Sequence, residues 1–141
     1  MLAPLFCYRG VRALVDLHCH ILHGIDDGAH SLEESVHLCR IAADNAIQLA
    51  VVTPHLVHPE AVNEFVRIRD KRIDELRRVL DEKEISLEIV PGAEIFVNDD
   101  IFYAPSLDAV TLGGSRYILI EFDFNGLNIN RLIRYVNEFI S

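Results

Sequence analysis

Two histidines, His18 and His20, are separated by a single residue at the end of an apolar segment that begins at residue 13. Side chains on a β-strand alternate between its two faces, so both imidazoles would project to the same side. Paired imidazoles on one strand are a common start of a transition-metal site. Taken alone, the pair is more simply explained as two polar residues on a solvated strand face, so a metal site needs further residues.

Metal-ligating residue types follow every strand that the sequence predicts. The loop behind the first strand contains Asp26 and Asp27, His55 follows a strand at 49–53, Glu94 follows a strand at 85–90, and Glu121 closes a strand at 117–121. In parallel α/β proteins the carboxyl ends of the strands form the active-site edge. The pattern therefore predicts a metal site at that edge.

The mixture of imidazoles and carboxylates favours manganese, iron or zinc over calcium. So many ligands exceed the need of one ion, which favours two or three. Such ions activate water and hold an ester during its displacement, most often a phosphate ester.

The positioning elements alternate between strand and helix. The first strand covers 13–18, and a capping box at Ser31 and Glu34 opens a helix. Its buried stripe would comprise Leu32, Val36, Cys39, Ala43 and Ile47. Alternation of this kind predicts an α/β fold in which crossover helices join parallel strands.

The remaining helices follow from periodicity. A long amphipathic helix is predicted at 59–83, with the charged cluster from Arg67 to Arg78 on a solvated face. A short helix and loop, capped by Asn98, would cover 98–112, and a last helix would cover 128–140. The predicted apolar faces are Val62, Phe65, Val66, Ile73, Leu76, Val79 and Leu80 for the long helix, and Leu132, Val136, Phe139 and Ile140 for the last one.

Composition narrows the class of protein. The 141 residues suit one domain, with 1–13 as an N-terminal extension and 14–141 as the folded part. A formal net charge of −9 argues against nucleic-acid binding, which relies on basic surfaces. The odd number of cysteines indicates reduced thiols, and no signal peptide or membrane-spanning run is predicted, which favours a cytoplasmic protein.

Two other phosphate chemistries do not fit. A cysteine-dependent phosphatase needs an arginine six residues beyond its cysteine, and the residues six beyond the three cysteines are Ala13, Ile25 and Asn45. No Gly-rich nucleotide-binding loop with Lys-Ser/Thr is present. Four further histidines match no motif and are predicted to lie on the surface: His23, His30, His37 and His58.

The arrangement resembles the PHP (polymerase and histidinol phosphatase) superfamily, and more closely its CpsB/CapC-type branch of manganese-dependent protein-tyrosine phosphatases. The resemblance rests on residues 16–29, 31–35, 53–55, 91–94 and 114–122. It implies that His18 and His20 hold one metal, that Glu94 bridges it to a second beside Glu121, and that Asp27 and His55 hold a third. Asp16 would support the ligands, although a plain structural role is nearly as well favoured.

The same resemblance implies a fold class and a missing part. The chain would be the N-terminal part of a distorted (β/α)7 PHP-type barrel. A His-Pro-Glu-Arg motif, with the arginine that binds phosphate, and a later Asp-x-His pair are not in these 141 residues. No catalytic residue is therefore assigned within the chain, and we expect a C-terminally truncated polypeptide that is a poor phosphatase by itself. The first 13 or 14 residues would come from a misplaced start.

The implied activity is hydrolysis of phosphotyrosine on a protein in the regulation of capsular or exopolysaccharide synthesis, with manganese as cofactor. The implied partner is a phosphotyrosine protein such as an autophosphorylating bacterial tyrosine kinase. Two alternatives stay open: a small-molecule phosphomonoesterase of the histidinol-phosphate type, and a non-catalytic remnant that binds metal without turnover.

Overall fold

The computed structural model describes residues 14–123 and 128–140, except for the side chains of 138–140. The predicted N-terminal extension, 1–13, lies outside the described residues. The strands are β1 (Leu14–Cys19), β2 (Ile47–Val52), β3 (His55–Leu56), β4 (Glu88–Pro91), β5 (Glu94–Phe96) and β6 (Leu119–Glu121), and the α-helices are α1 (Leu32–Asp44), α2 (Val62–Glu82) and α3 (Ile129–Ile140).

All strand pairs are parallel, which confirms the predicted α/β class. One sheet has the order β1-β2-β4 and the other the order β3-β5-β6. Because β3 follows β2 and β5 follows β4 after only two residues in each case, the two sheets are successive halves of the same run of strands. Counted as four runs, β1, β2 with β3, β4 with β5, and β6, successive runs are hydrogen-bonded neighbours, and their carboxyl ends meet at one edge.

The strands β3 and β5 were not predicted, because the short irregular segments at 53–54 and 92–93 interrupt the strand pattern after β2 and β4. Pro54 has no N–H to donate to a neighbouring strand. Gly92 is packed so closely that an added Cβ would lie 2.8 Å from a methyl carbon of Val51. The hydrogen bond from the Glu94 N–H to the Pro54 carbonyl (3.1 Å) keeps the two strands together across this break.

Helix α1 begins as the capping box predicts and ends earlier than its apolar stripe suggested. The Ser31 hydroxyl accepts from the Glu34 N–H (3.2 Å), while the Glu34 carboxylate accepts from the His30 N–H (2.8 Å). Ala46 has a φ of 63°, which an α-helix cannot continue through. The prediction that Ile47 lies on the helix was therefore wrong, and this residue begins β2.

Helix α2 is preceded by a 3-10 turn, Pro59–Ala61, and buries a residue that the charge pattern placed in solvent. Arg69 is 2% exposed, and its Nη1 donates to the carbonyls of Gly92 and Ala109 (3.0 Å each). Its Nε donates to Asp70 (2.8 Å). Arg69 therefore joins α2 to the turn before β5, and the prediction of a solvated face was wrong at this position.

Two core clusters support the sheet, one on each half. The first lies between α1, α2 and β2, and the second surrounds Leu56, Ile95 and Val110. The third predicted strand begins later than expected, since Ile85 and Leu87 are buried but precede β4. In 98–112 the structure has 3-10 turns at Asp99–Tyr103 and Asp108–Val110, the first capped by Asn98 as predicted.

Helix α3 packs through a different residue from those predicted. Val136 is exposed and Leu132 half-buried, whereas Tyr135 is buried and donates its hydroxyl to Asp99 (3.0 Å). The Tyr135 side chain combines a large apolar ring, which can be buried, with a hydroxyl that needs an acceptor. The spacing of aliphatic residues did not predict this buried position. The predicted inward side chains of Phe139 and Ile140 lie outside the described residues. In the described part of the chain, no helix is long and apolar enough to cross a membrane.

Candidate metal centre

Three side chains from two strands meet at the carboxyl edge of the sheet. The Nε2 atoms of His18 and His20 lie 3.1 Å apart, and the Oε2 of Glu94 lies 3.0 Å from the first and 3.2 Å from the second. The side-chain alternation of β1 directs both imidazoles to this point, and β5 brings Glu94 beside them. The sequence prediction that these residues share one location is met by the geometry.

The spacing of these three atoms fits a metal ion. In an octahedral site with bonds of about 2.1 Å, neighbouring ligand atoms lie about 3.0 Å apart, and in a tetrahedral site about 3.4 Å apart. The observed separations of 3.0–3.2 Å fall between these values. A buried carboxylate beside two imidazoles is also the donor set that divalent Mn, Fe or Zn takes. The residues present therefore fit the group that the sequence implied.

A second group shares Glu94 with the first. The Nδ1 of His55 lies 3.3 Å from Glu94 Oε2 and 3.3 Å from Glu121 Oε2. His55 is paired with Glu94 across β3 and β5, and Glu121 ends β6 two residues beyond Leu119, the residue paired with Glu94. A single carboxylate facing two donor groups can bridge two ions.

Asp27 lies at the outer side of the centre. Its Oδ1 is 3.4 Å from the Nε2 of His55, and its side chain is 84% exposed. The two nitrogens of His55 thus face different partners, one toward Asp27 and the other toward the carboxylates. All the sequence-predicted ligands lie together in what we call the metal-site cluster: His18, His20, Asp27, His55, Glu94 and Glu121.

Two carboxylates beside the cluster hold its chain in place. Asp16 accepts from the main-chain N–H of His18 (3.1 Å). Asp26 accepts from the Nδ1 of His20 (2.8 Å) and from the N–H groups of Gly28 and His55 (3.0 Å each). Burial acts to raise the pKa of Asp26, but these hydrogen bonds outweigh it and hold that pKa below its ordinary value.

Asp26 was not assigned a role from the sequence, where Asp-Asp-Gly is an ordinary turn. The turn itself carried one signal, since an Asp two residues before a Gly accepts that residue's N–H in an Asx-turn. Its contact with His20 depends on how the loop folds back over β1, which no local pattern specifies.

One of the histidines predicted to lie on the surface does not. The side chain of His23 is 12% exposed, and its Nε2 lies 3.4 Å from Glu75 of α2. Burial and the nearby Arg72 guanidinium lower the pKa of His23 below its ordinary value. His30, His37 and His58 are exposed, as predicted. His58, Glu60 and Asp100 also lie close together, all of them solvent-exposed.

Comparison with known proteins identifies relatives of this chain. The chain is 33% identical over 113 residues to the tyrosine-protein phosphatase YwqE of Bacillus subtilis, covering 79% of this chain and 44% of that relative. The same identity and coverage hold for the putative tyrosine-protein phosphatase CapC of Staphylococcus aureus. Identity to the tyrosine-protein phosphatase CpsB of Streptococcus pneumoniae is 30%, covering 79% of this chain and 46% of that relative. The chain thus spans less than half the length of these curated relatives.

A solved structure matches as well. It comes from a study of YwqE from Bacillus subtilis and CpsB from Streptococcus pneumoniae, described there as unique metal-dependent tyrosine phosphatases. The match has a TM-score of 0.70 at 29% identity and covers 90% of this chain and 51% of that chain. The family model described as "Capsular polysaccharide synthesis, CpsB/CapC" matches residues 14–139. This chain therefore belongs to the CpsB/CapC family.

Proposed function

We propose that the chain is the ligand-bearing part of a metal-dependent protein-tyrosine phosphatase that acts in the regulation of capsular or exopolysaccharide synthesis. The observation that supports this most is the pair of donor groups that share Glu94, each with atoms spaced for a divalent ion. The names of the relatives supply the substrate class. Manganese is the proposed metal, as two or three ions, and iron or zinc would suit the same donors.

The proposal assigns roles residue by residue. His18, His20 and Glu94 hold a first ion, and Glu94 bridges it to a second beside Glu121. Asp27 and His55 hold a third at the exposed side. The fold is the N-terminal part of a distorted (β/α)7 barrel of the PHP type, carried by residues 14–141.

When bound, the divalent ions would supply a nucleophilic water-derived hydroxide and neutralise charge on the phosphoryl oxygens. The chain's own residues would fix where that chemistry happens. The short parallel strands β3, β5 and β6 would hold His55, Glu94 and Glu121 at one sheet edge, so little reorganisation would accompany the reaction. The half-exposed His18 and the exposed Asp27 leave the solvent side of the centre open to a protein substrate.

The substrate in the cell would be a phosphotyrosine protein such as an autophosphorylating bacterial tyrosine kinase, in the cytoplasm. The surface charge supports a protein rather than a nucleic-acid partner, because the chain carries 22 acidic against 13 basic residues.

The test measures release of phosphate from a phosphotyrosine peptide and from histidinol phosphate, with and without Mn²⁺, together with Mn²⁺ binding by calorimetry. We expect Mn²⁺ to bind and the peptide to be preferred, at a rate below that of full-length Bacillus subtilis YwqE. The lower rate is expected because the phosphate-binding arginine motif is not in these 141 residues. Preference for histidinol phosphate would support the small-molecule alternative, and binding without any turnover would support a non-catalytic role.

Glu94→Gln is the informative variant, since it removes the charge that both donor groups share. It should weaken Mn²⁺ binding by more than about tenfold. Glu33→Gln, on the exposed first turn of α1, is the matched control and should bind as the parent does. Equal binding by the two variants would contradict the assigned centre.

A further inference from the structure

The carboxylate of Asp26 is more enclosed than those of Glu94 and Asp27 in the metal-site cluster. Its side chain is 4% exposed, against 10% for Glu94 and 84% for Asp27. A carboxylate at that depth is costly unless it is hydrogen-bonded. Its partners therefore decide what it does there.

Both oxygens of Asp26 are engaged by protein donors. Oδ1 accepts from the Gly28 N–H (3.0 Å), and Oδ2 accepts from the Nδ1–H of His20 (2.8 Å) and the N–H of His55 (3.0 Å). These donors come from the end of β1, its following loop and the start of β3. One side chain thus joins two strands that carry proposed ligands.

The bond to Nδ1 has a consequence at the other nitrogen of the same ring. A neutral imidazole carries one proton, and a carboxylate acceptor holds it on the nitrogen it faces. The Nε2 of His20 is then unprotonated, with a lone pair that can bind a metal ion. This atom lies 3.2 Å from Glu94 and 3.1 Å from the Nε2 of His18.

We propose that Asp26 is a positioning residue that holds His20 in the Nδ1–H tautomer and ties the main chain of His55 to the same loop. His20 thereby presents Nε2 to the first metal before any ion arrives. This inference rests on the proposed function only in taking the cluster as a metal centre. Carboxylates that orient metal-binding histidines in this way typically strengthen metal affinity by about 10- to 100-fold.

The competing assignment is that Asp26 itself binds metal, since it lies within reach of His20, Asp27 and His55. Oδ2 of Asp26 already accepts two protein donors and Oδ1 accepts one, so at most one lone pair, on Oδ1, is left for a metal ion. The two assignments differ in the number of ions bound and in the proton position on His20 without metal.

The first measurement is long-range ¹H–¹⁵N NMR of the imidazoles in the metal-free chain at pH 8. We expect His20 to show a protonated Nδ1 and an unprotonated Nε2, and the Asp26→Asn variant to lose this preference. Asp27→Asn is the matched control and should leave the His20 tautomer unchanged. A wild-type His20 protonated at Nε2 would overturn the proposal without any variant.

The second measurement is calorimetric titration with Zn²⁺ and Mn²⁺. Asp26→Asn should weaken binding by about 10- to 100-fold with the number of ions unchanged. Loss of one ion from the stoichiometry would show a direct ligand and overturn the positioning role, as would unchanged affinity. If the parent chain binds neither metal, the proposed function fails, whereas the tautomer result still decides whether Asp26 orients His20.

Discussion

Replacement of Gly28 by alanine is the sharpest probe of how the loop after β1 holds its ligands. A Cβ at this position would lie 2.1 Å from the His20 carbonyl oxygen and 2.6 Å from the His20 Cβ. Non-bonded carbon and oxygen atoms approach to about 3.3 Å at closest. The loop must therefore move by about 1 Å, because the obstructing atoms belong to the main chain at the end of β1 and cannot rotate away.

The magnitude follows from the contacts that such a shift breaks. The Ala29 N–H donates to the His20 carbonyl (3.1 Å), and the Gly28 N–H donates to the Asp26 carboxylate (3.0 Å). Loss of the neutral bond costs about 1 kcal/mol and loss of the charge-assisted bond about 1.5–3 kcal/mol. We expect Gly28→Ala to lower the free energy of unfolding by about 3 kcal/mol and Tm by roughly 10 °C.

Gly24→Ala is the control within the same loop. Gly24 has a φ of 64° but no atom within 4 Å of its Cβ position, so alanine there meets only backbone strain of about 1–2 kcal/mol. Urea unfolding followed by circular dichroism measures both variants. If Gly28→Ala destabilises the chain no more than Gly24→Ala, the close approach of this loop to His20 is not a packing constraint and the reasoning fails.

Two further predictions concern buried polar groups away from the cluster. Arg69→Met should lower the free energy of unfolding in urea by about 3 kcal/mol, because the carbonyls of Gly92 and Ala109 lose their buried donor. The control Arg67→Met, at an exposed position, should change it by no more than about 0.5 kcal/mol. Similar losses for both variants would contradict a stabilising role for the hydrogen bonds of Arg69. Burial raises the pKa of Cys39 to about 12 from an ordinary 9.0, so its thiol should resist iodoacetamide at pH 8 until the chain unfolds. Between these two pKa values only the thiol of the unfolded chain ionises. The contribution of Cys39 to folding stability is therefore fully present below pH 9 and is lost as pH rises toward 12. A series of thermal melts in which Tm stays constant over this pH range would contradict this expectation.

Much of the cluster followed from local pattern. Alternation on β1 places His18 and His20 on one side, and parallel strands deliver His55, Glu94 and Glu121 to one edge. The structure places each of these residues 3.0–3.3 Å from at least one other, and their role as metal ligands stays a prediction. The sequence placed Asp26 among the metal-ligating residue types but gave it no role of its own, because that role depends on contacts with another strand and with its own folded-back loop.

The sequence by itself determined the three α-helices and the order of four strand segments, although it missed β3 and β5: the capping box opens α1, and strand–helix alternation predicts parallel strands. These features depend on residues close together in the chain, where side-chain period and capping chemistry act directly. Tertiary structure alone decided that Arg69 is buried and His23 half-buried, that Ile47 begins a strand, and that Tyr135 anchors α3. Each of these depends on which distant atoms complete a hydrogen bond or a packed surface, and that depends on how the whole sheet assembles.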